Sequence, residues 1–409
     1  MRICVIGGGL TGLVAAHALS GEHEVHLVEK QPYLGGCLSS YHMNGYWIEQ
    51  YYHHCFSGDN HLFALLRELG LFESLEWRTG TTGYYSGGVI YPLNTPWEIL
   101  RYPELSLIDK AKLAFLTLTA KNADLSALDD VPAEQYIIDN LGRNIYSSFF
   151  EPLLKSKFGD RRKEVSAAWL ISRIAIRSDR GVSGERLGYL NGGFHRIIDA
   201  LEKTIEKNHG TIRTQCPVSS ISCVDGSWDV NGIRFDAVIS TISPYELQKA
   251  GGPVMPPVPY QGAACVTLAI DRDVTGGIYW LNMKDNAPYG AVVSHTNFIP
   301  LERYGEHLVY LASYFSGTVP SDIDRTLIDD FCTRFSLARE EIRWYRVAVD
   351  PWAGPVYSTG YKSLIPAYEN QGLFMAGMFS KTNYPERSME GSIRAGIEVA
   401  ACIRNGGHP

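Results

Sequence analysis

The chain has 409 residues, which is long for one core and favours two domains that share interleaved segments. With 45% hydrophobic and 20% charged residues, the composition excludes a disordered or fibrous protein. The net charge of −7, without a cluster of lysines or arginines, argues against a nucleic-acid partner. The eight cysteines include no CxxC pair and indicate neither a metal site nor a disulfide framework. We therefore expect a cytoplasmic protein.

The first thirty residues predict a βαβ unit. Apolar residues 2–6 form a strand, the three glycines at 7–9 form a tight turn, a helix covers about 11–19, and a second strand covers 24–28. A secretory signal peptide is the alternative for the first twenty residues, but the glycines would interrupt its apolar helix. No apolar run reaches the length of a membrane span, so membrane association is not required.

A Gly-x-Gly-x-x-Gly motif occupies this turn and the start of the helix. Gly7 permits the tight turn, Gly9 lets the backbone approach a pyrophosphate, and Gly12 lets the helix pack closely on the strand. Glu29, which ends the second strand, is placed to accept hydrogen bonds from ribose hydroxyls. A turn that serves packing alone is the alternative, but the strand–turn–helix context favours dinucleotide binding by Gly7, Gly9, Leu10, Thr11, Gly12, Glu29 and Lys30.

Gly35, Gly36 and Cys37 follow shortly after the acidic residue. Here the chain resembles the FAD superfamily of monoamine oxidases, phytoene desaturases, protoporphyrinogen oxidases and UDP-galactopyranose mutases. In that superfamily a Gly-Gly pair lies along the isoalloxazine ring and the pyrophosphate, so the resemblance implies FAD as the cofactor. Cys37 replaces the basic residue that is usual at its position, which leaves a phosphate contact of this side chain open.

The C-terminal part extends the resemblance. Residues 374–377 and 390–393 resemble the closing strand and flavin-facing helix of the superfamily, and residues 189–194 resemble its return point into the FAD domain. A helix N-terminus beside the flavin would stabilise negative charge at the N1–C2 carbonyl. The resemblance implies further cofactor contacts from Val218, Thr241, Gly377, Glu390, Gly391 and Ser392.

The remaining elements are predicted from periodicity and turn residues. Residues 60–70 form a helix that Gly70 ends, and residues 76–185 are mainly helical and rich in Tyr and Trp. The prolines at 253–259 mark a boundary. Further strands are predicted at 211–214, 217–224, 227–230, 233–242, 263–270, 308–315 and 373–376, and a long helix from about Gly391.

These elements predict an α/β fold with an α+β second domain. Residues 1–75, 186–250 and 365–409 are expected to form a discontinuous, Rossmann-like FAD-binding domain of the glutathione-reductase type. Residues 76–185 and 251–364 are expected to form an interleaved substrate domain of helices and a mixed or antiparallel sheet.

His53 and His54 lie in the most unusual short stretch of the chain, residues 51–59. This stretch resembles a segment of UDP-galactopyranose mutases that lies against the flavin, and His53 matches the first histidine of that segment whereas Phe56 replaces the second. A histidine at that place could donate to the C4 carbonyl–N5 edge of the flavin or move a proton. A packed or surface histidine is the alternative, and His54 is the weaker candidate because adjacent residues point apart.

Other substrate candidates have ordinary structural alternatives. Arg173 and Arg177 share a helical face and could clamp a phosphate or carboxylate, or could form a solvated basic face. Arg387 lies in a loop that should pass close to the flavin, which makes it a candidate for catalysis. Tyrosines that could line an aromatic pocket or belong to the core are Tyr84, Tyr357 and Tyr361.

The sequence therefore predicts an FAD-dependent oxidoreductase in which a small organic substrate passes a hydride to flavin N5 and a separate electron acceptor reoxidises the flavin. A mutase-like, non-redox reaction on a nucleotide sugar is the alternative among flavoenzymes. A flavin-bearing protein that only binds a partner is a third hypothesis.

Overall fold

The computed structural model describes residues 1–176 and 185–406. Its strands are β1 (Arg2–Ile6), β2 (Glu24–Val28), β3 (Ser40–Met43), β4 (Tyr46–Glu49), β5 (Leu75–Gly80), β6 (Thr82–Ser86), β7 (Val89–Pro92), β8 (Glu185–Leu190), β9 (Thr211–Arg213), β10 (Ile221–Val224), β11 (Ser227–Val230), β12 (Ile233–Phe235), β13 (Ala237–Ser240), β14 (Tyr260–Ile270), β15 (Trp280–Met283), β16 (Ala291–Ser294), β17 (His307–Phe315), β18 (Ile342–Pro355), β19 (Glu369–Asn370) and β20 (Leu373–Met375). Its α-helices are α1 (Leu10–Ser20), α2 (Asn60–Glu68), α3 (Pro96–Arg101), α4 (Leu107–Thr119), α5 (Ala133–Leu141), α6 (Arg143–Ile145), α7 (Glu151–Phe158), α8 (Ala167–Ile176), α9 (His195–Lys207), α10 (Pro244–Lys249), α11 (Ile323–Arg334), α12 (Tyr361–Leu364) and α13 (Met389–Arg404).

The first sheet is largely parallel and has the strand order β19-β20-β13-β1-β2-β9. β1 pairs in parallel with β2 and β13, and only β19 runs antiparallel to its neighbour. Ile3 and Val5 of β1 pack against α1, whereas Cys4 and Ile6 pack against Trp228 of the β10–β12 meander. Both faces of β1 are therefore buried, which explains why its sequence is continuously apolar rather than alternating.

Helix α1 is held between the sheet and helix α13. Gly396 of α13 lies so close to α1 that a Cβ would come within 2.7 Å of the Thr11 carbonyl oxygen. This close packing brings the beginning of α13 near the beginning of α1, and it links the last helix of the chain to the N-terminal βαβ unit.

The second sheet is mixed and has the order β18-β14-β17-β16-β15-β6-β7. Strand β14, the second from one edge, is buried along its whole length, and its neighbours β17 and β18 both run antiparallel to it. One face of the sheet packs on α11, where Val266 and Leu268 meet Leu327 and Phe331. A separate helical layer is formed by α5, α7 and α8, whose apolar faces share the residues Ile137, Leu154, Phe158, Leu170 and Ile171.

Several sequence-based predictions need correction. Residues 75–92 form strands β5–β7 rather than helix, because they find distant partners: β5 pairs with β8, and β6 pairs in parallel with β15. Local periodicity does not reveal such pairing. The strand predicted at 233–242 is broken at Asp236, whose carboxylate accepts a hydrogen bond from the Arg2 amide, and the strand predicted at 217–224 begins at Ile221. The fold is a mixed fold of helix and sheet, and the domain boundaries stay a prediction.

Candidate functional site

A cavity of about 1780 Å³ extends from the β1–α1 turn to helices α4, α7 and α8. Its walls come from the glycine turn at one end, from β14 and β17 of the mixed sheet, and from the helical layer at the other end. Pockets for single drug-sized ligands measure roughly 300–1,000 Å³. The cavity therefore has room for a large cofactor and a substrate together.

The β1–α1 turn is a tight glycine cradle. Gly7 has a φ of 106° and donates its amide hydrogen to the Val28 carbonyl, and a Cβ on Gly12 would overlap the Gly7 carbonyl oxygen. Gly9 differs, because the nearest atom to a Cβ there would be the Gly36 Cα at 4.0 Å, and Gly9 lines the cavity. Gly12 is thus required by packing, whereas Gly9 leaves space in front of the N-terminus of α1, where an anionic group fits.

Glu29 closes one side of the cradle. Its Oε2 accepts a hydrogen bond from the Gly8 amide at 2.7 Å, and its Oε1 accepts one from the Gln31 amide at 2.8 Å. A carboxylate has about four acceptor positions, so two remain for hydroxyl groups of a ligand in the cavity. Lys30, which also lines the cavity, forms an ion pair with Glu246.

The second glycine pair packs against the first turn. Gly35 donates its amide hydrogen to the Gly8 carbonyl at 2.8 Å, and a Cβ on Gly36 would come within 3.2 Å of the Gly9 Cα. Both Gly35 and Gly36 have positive φ values, of 108° and 56°. Side chains are therefore kept out of this part of the cavity wall, as a flat or extended cofactor requires.

Cys37 lines the cavity next to the glycine pair. Burial raises the pKa of its thiol to about 12, so the side chain is a neutral thiol at pH 7. It cannot supply the positive charge of the basic residue that it replaces. With this exception, the glycine cradle and Glu29 fit a dinucleotide.

The other predicted cofactor residues divide into two groups. Thr241, Gly377, Ser392, Leu10 and Thr11 line the cavity, and the Thr241 hydroxyl donates to the Ile6 carbonyl at 2.9 Å beneath the turn. Glu390 and Gly391 do not line it: Glu390 accepts hydrogen bonds from His61 and Leu62 at the beginning of α2, and Gly391 packs closely on Asn383. Val218 packs against the cluster around Ile221, so its predicted backbone contact stays a prediction.

His53 lies in the cavity wall with one nitrogen already occupied. Its Nδ1 is 2.7 Å from the Tyr51 carbonyl, which can only accept, so Nδ1 carries the proton and Nε2 is the acceptor. Burial lowers the pKa of His53 to about 4, and the nearby positive charge of Arg387 acts in the same direction. His53 is therefore neutral at pH 7 with Nε2 as an acceptor, which favours the proton-transfer role of the sequence-based hypothesis over the donor role. His54 also lines the cavity, and its Nδ1 is 3.1 Å from the Tyr279 hydroxyl.

Arg387 passes over the backbone of Gly354. A Cβ on Gly354 would overlap the Arg387 guanidinium, so the arginine occupies the space that a side chain would take. Its Nη1 is shielded from solvent and has no hydrogen-bond acceptor among residues 1–176 and 185–406. The charge of Arg387 therefore faces the cavity near His53 and Cys37.

Lys157 and Glu386 were not predicted as site residues, although both line the cavity. Lys157 Nζ lies 3.4 Å from Glu386 Oε1 and 4.7 Å from the centre of the Trp169 ring, and Arg173 Nη1 lies 3.6 Å from the same carboxylate oxygen. Burial lowers the pKa of Lys157 to about 7, an effect that Glu386 opposes. The signal in the sequence was a lysine three residues after Leu154, on the apolar side of α7.

The predicted tyrosines behave differently. Tyr84 lines the cavity and donates its hydroxyl hydrogen to the Phe149 carbonyl at 3.1 Å. Tyr357 and Tyr361 are not among the residues that line the cavity; they are about 1% exposed and meet edge to face in the core of the helical layer, and the Tyr357 hydroxyl donates to the Asn383 carbonyl. The structure therefore gives no support to the substrate role predicted for these two, which stays a prediction. Arg177 lies outside the described residues.

Within residues 1–176 and 185–406, no three His, Cys, Asp or Glu side chains are grouped to hold a metal ion. In the same ranges no helix has both the length and the apolar character needed to cross a membrane.

Comparison with known proteins identifies the class to which this fold and cavity belong. Residues 10–404 match the model of the family described as flavin containing amine oxidoreductase, and the chain belongs to that family. It is thus an oxidoreductase-type flavoprotein, as the resemblance in the glycine motifs predicted.

Two curated relatives illustrate the range of the family. The coproporphyrinogen III oxidase of Mycobacterium tuberculosis is 24% identical over 98% of this chain and 94% of that protein. An uncharacterized protein of Methanocaldococcus jannaschii is 27% identical over 61% of this chain, and the match spans only 60% of that protein.

Two solved structures share the fold over nearly the whole chain. A protein from Exiguobacterium sp. 255-15, provisionally named protoporphyrinogen oxidase, has a TM-score of 0.77 at 19% identity and covers 99% of both chains. Reduced UDP-galactopyranose mutase has a TM-score of 0.75 at 16% identity and covers 99% of this chain and 94% of its own. At these identities the likeness concerns the fold alone.

Proposed function

We propose that this protein is an FAD-dependent oxidoreductase in which an organic substrate is oxidised by hydride transfer to flavin N5. The observation that carries the proposal is the pair of glycine turns, in which Gly9 packs against Gly36 and both line the cavity beside the N-terminus of α1. We also infer that the parallel sheet belongs to a Rossmann-like FAD-binding domain of the glutathione-reductase type.

The residues that would hold FAD follow from the cradle. The amides at the start of α1, beginning with Leu10 and Thr11, would bind the pyrophosphate, Glu29 would bind the ribose hydroxyls, and Gly35 and Gly36 would allow close approach of the ring system. When bound, the isoalloxazine ring supplies the redox chemistry, which no side chain of the chain can provide.

The chain itself supplies orientation, proton handling and exclusion of water. His53 holds its Nδ1 hydrogen on Tyr51 and presents an unprotonated Nε2, so it can take a proton that the substrate loses. Alkyl and aromatic side chains of α7 and β14 line the cavity and would limit the access of water to the reacting groups. Eight free cysteines support a cytoplasmic location, and reoxidation requires an electron acceptor whose identity is open.

A mutase-like reaction on a nucleotide sugar is the second candidate. The fold similarity to UDP-galactopyranose mutase and the position of His53 favour it. The replacement of the second mutase histidine by Phe56 argues against it. Hydride transfer from the substrate is therefore the better proposal.

Anaerobic mixing with substrates separates the two functions. The purified protein should release FAD on denaturation, and its visible absorbance should bleach when a suitable reduced porphyrinogen, carotenoid precursor or amine is added. A mutase would leave oxidised flavin unchanged but would convert UDP-galactopyranose after dithionite reduction. A protein that neither bleaches nor interconverts the sugar, or that contains no FAD, would contradict the proposal.

A further inference from the structure

The cavity carries an excess of positive charge at its helical end. Lys157, Arg173 and Arg387 lie around the single carboxylate of Glu386, and all four side chains line the cavity. Asp350 is another carboxylate on which the charge of Arg387 acts, but it interacts more strongly with Lys30. Among the described residues these three basic side chains thus share one nearby carboxylate, which leaves an excess of positive charge to be balanced.

Two hydrogen-bond donors of this group are unsatisfied. Trp169 Nε1 and Arg387 Nη1 are shielded from solvent, line the cavity with their side chains and have no acceptor among the described residues. Trp169 is only 6% exposed. A buried donor without an acceptor destabilises the fold, so an oxygen-bearing anion would satisfy both the charge and the donors. Glu386 Oε2 also lacks a partner in the described ranges and would accept from a hydroxyl of the ligand or from water.

Most of the cavity wall that α3 and α4 contribute is apolar. Helix α4 and its surroundings contribute alkyl side chains, and other residues cover only a few of them. Leu107 and Leu118, which line the cavity, are 72% and 78% exposed. The members of this apolar wall are Ile99, Leu100, Leu107, Leu113, Leu116 and Leu118. A ligand that fills the space must therefore combine an apolar body with an anionic end.

We propose that Lys157, Arg173 and Arg387 form an anion-binding subsite for the carboxylate or phosphate group of an otherwise apolar substrate. Arg387 and Arg173 provide planar groups suited to two-point contacts with an oxyanion, and Lys157 adds a mobile ammonium group. This rests on the proposed function only in that the cavity is the substrate site. The pKa of about 7 for Lys157, lowered by burial, means that an arriving anion also favours protonation of this lysine.

Ligand binding tests the subsite without turnover. The FAD-loaded protein is titrated by calorimetry with decanoate, decyl phosphate and decanol, which share one alkyl chain and differ in the charged end. We expect one or both anions to bind at least tenfold more tightly than decanol, because a charge-assisted hydrogen bond exceeds a neutral one. The stronger of the two anions identifies the carboxylate or phosphate as the preferred group.

Substitutions of the basic residues test whether these residues bind the anion. Lys157→Met and Arg173→Gln should each weaken anion binding about tenfold and leave decanol binding unchanged, since each removes a positive charge and its N–H donors but keeps much of the alkyl chain. Arg162→Gln is the matched control, because Arg162 pairs with Glu151 at 3.2 Å on the same helical layer and does not line the cavity. If Lys157→Met fails to fold, Arg173→Gln carries the test, as its side chain is already 28% exposed.

The result has clear alternatives. Equal affinities for the three ligands, absence of anion binding, or variants that bind the anions as tightly as Arg162→Gln would overturn the subsite. FAD content and flavin bleaching are measured on the same preparations. A protein that binds decanoate but holds no FAD would contradict the proposed function and leave the subsite standing, so the two failures are distinguishable.

Discussion

The guanidinium of Arg387 rests on the backbone of Gly354, in the space that a Cβ would occupy. Gly354 has an ordinary backbone conformation near the end of β18, so it is the neighbouring arginine rather than the backbone that demands glycine there. Gly354 thus fixes the position of Arg387 in the cavity wall, and no local sequence pattern predicts this contact.

Gly354→Ala should displace Arg387. We expect unchanged FAD content, a free energy of unfolding lowered by about 1–3 kcal/mol because the site becomes overpacked, and weaker decanoate binding. Urea unfolding and calorimetry measure the two effects. Gly21→Ala is the control, because a Cβ there meets no atom within 4 Å. Equal stability of the two variants would mean that the arginine moves aside without cost.

Gly9 and Gly12 should respond differently to substitution, although both belong to one motif. Gly12→Ala should lower stability with or without FAD, because the new Cβ overlaps the Gly7 carbonyl. Gly9→Val should leave the stability of the FAD-free protein nearly unchanged, since the nearest atom to the Cβ is 4.0 Å away, yet abolish FAD binding by blocking the cradle. Flavin absorbance per chain and thermal unfolding of both variants check this. Normal FAD content in Gly9→Val would show that the motif does not bind the dinucleotide.

The two glycines also show which part of the site can be predicted from the sequence. The β1–α1 turn and its acid lie within thirty residues, so local spacing predicts the cradle. Lys157 and Glu386 are 229 positions apart in the sequence, and no local pattern predicts a contact between them. The same holds for β6, which is completed only by β15.

For a related reason, the sequence does not show which tyrosines line the cavity. Tyr84 and Tyr357 have the same chemistry, and only packing decides that one lines the cavity and the other lies in the core. His53 was placed by resemblance, but its protonation state depends on the Tyr51 carbonyl and on burial, which the sequence does not contain.

Cys37 should not bind FAD covalently. Its thiol remains protonated at pH 7 because burial raises its pKa to about 12, and a thiol is a poor nucleophile compared with a thiolate. Acid precipitation should leave all of the FAD in the supernatant, and Cys37→Ser should contain as much FAD as the unmodified protein. Flavin absorbance in the precipitate would show that a covalent bond to some side chain exists.

His295 should make stability depend on pH. Burial, assisted by the charge of Arg303, lowers its pKa to about 3, whereas in the unfolded chain it titrates near 6.5. Because the folded-state pKa is depressed, this group stabilises the fold above pH 6.5, and the contribution is lost as pH falls toward 3. Compared with His295→Gln, the unmodified protein should lose up to about 1.4 kcal/mol more per pH unit below 6.5. Urea unfolding at pH 7, 5.5 and 4.5 measures this, with the exposed His209→Asn as control; parallel curves for His295→Gln and the unmodified protein would contradict it.

His53→Asn tests the proposed proton acceptor. Asparagine can keep a donor near the Tyr51 carbonyl, as His53 Nδ1 does at 2.7 Å, but it cannot take a proton. FAD content and folding should therefore be retained, while the rate of flavin reduction by substrate in rapid mixing should fall about 10²–10⁴-fold. Since burial lowers the pKa of His53 to about 4, the reduction rate of the unmodified protein should decline only as pH falls through about 4, not near 6.5. His209→Asn, on the exposed surface and outside the cavity, should change neither the rate nor the pH profile. A reduction rate in His53→Asn equal to that of His209→Asn would assign His53 to packing and would direct the search for the acceptor to His54, the other histidine of the same segment that lines the cavity.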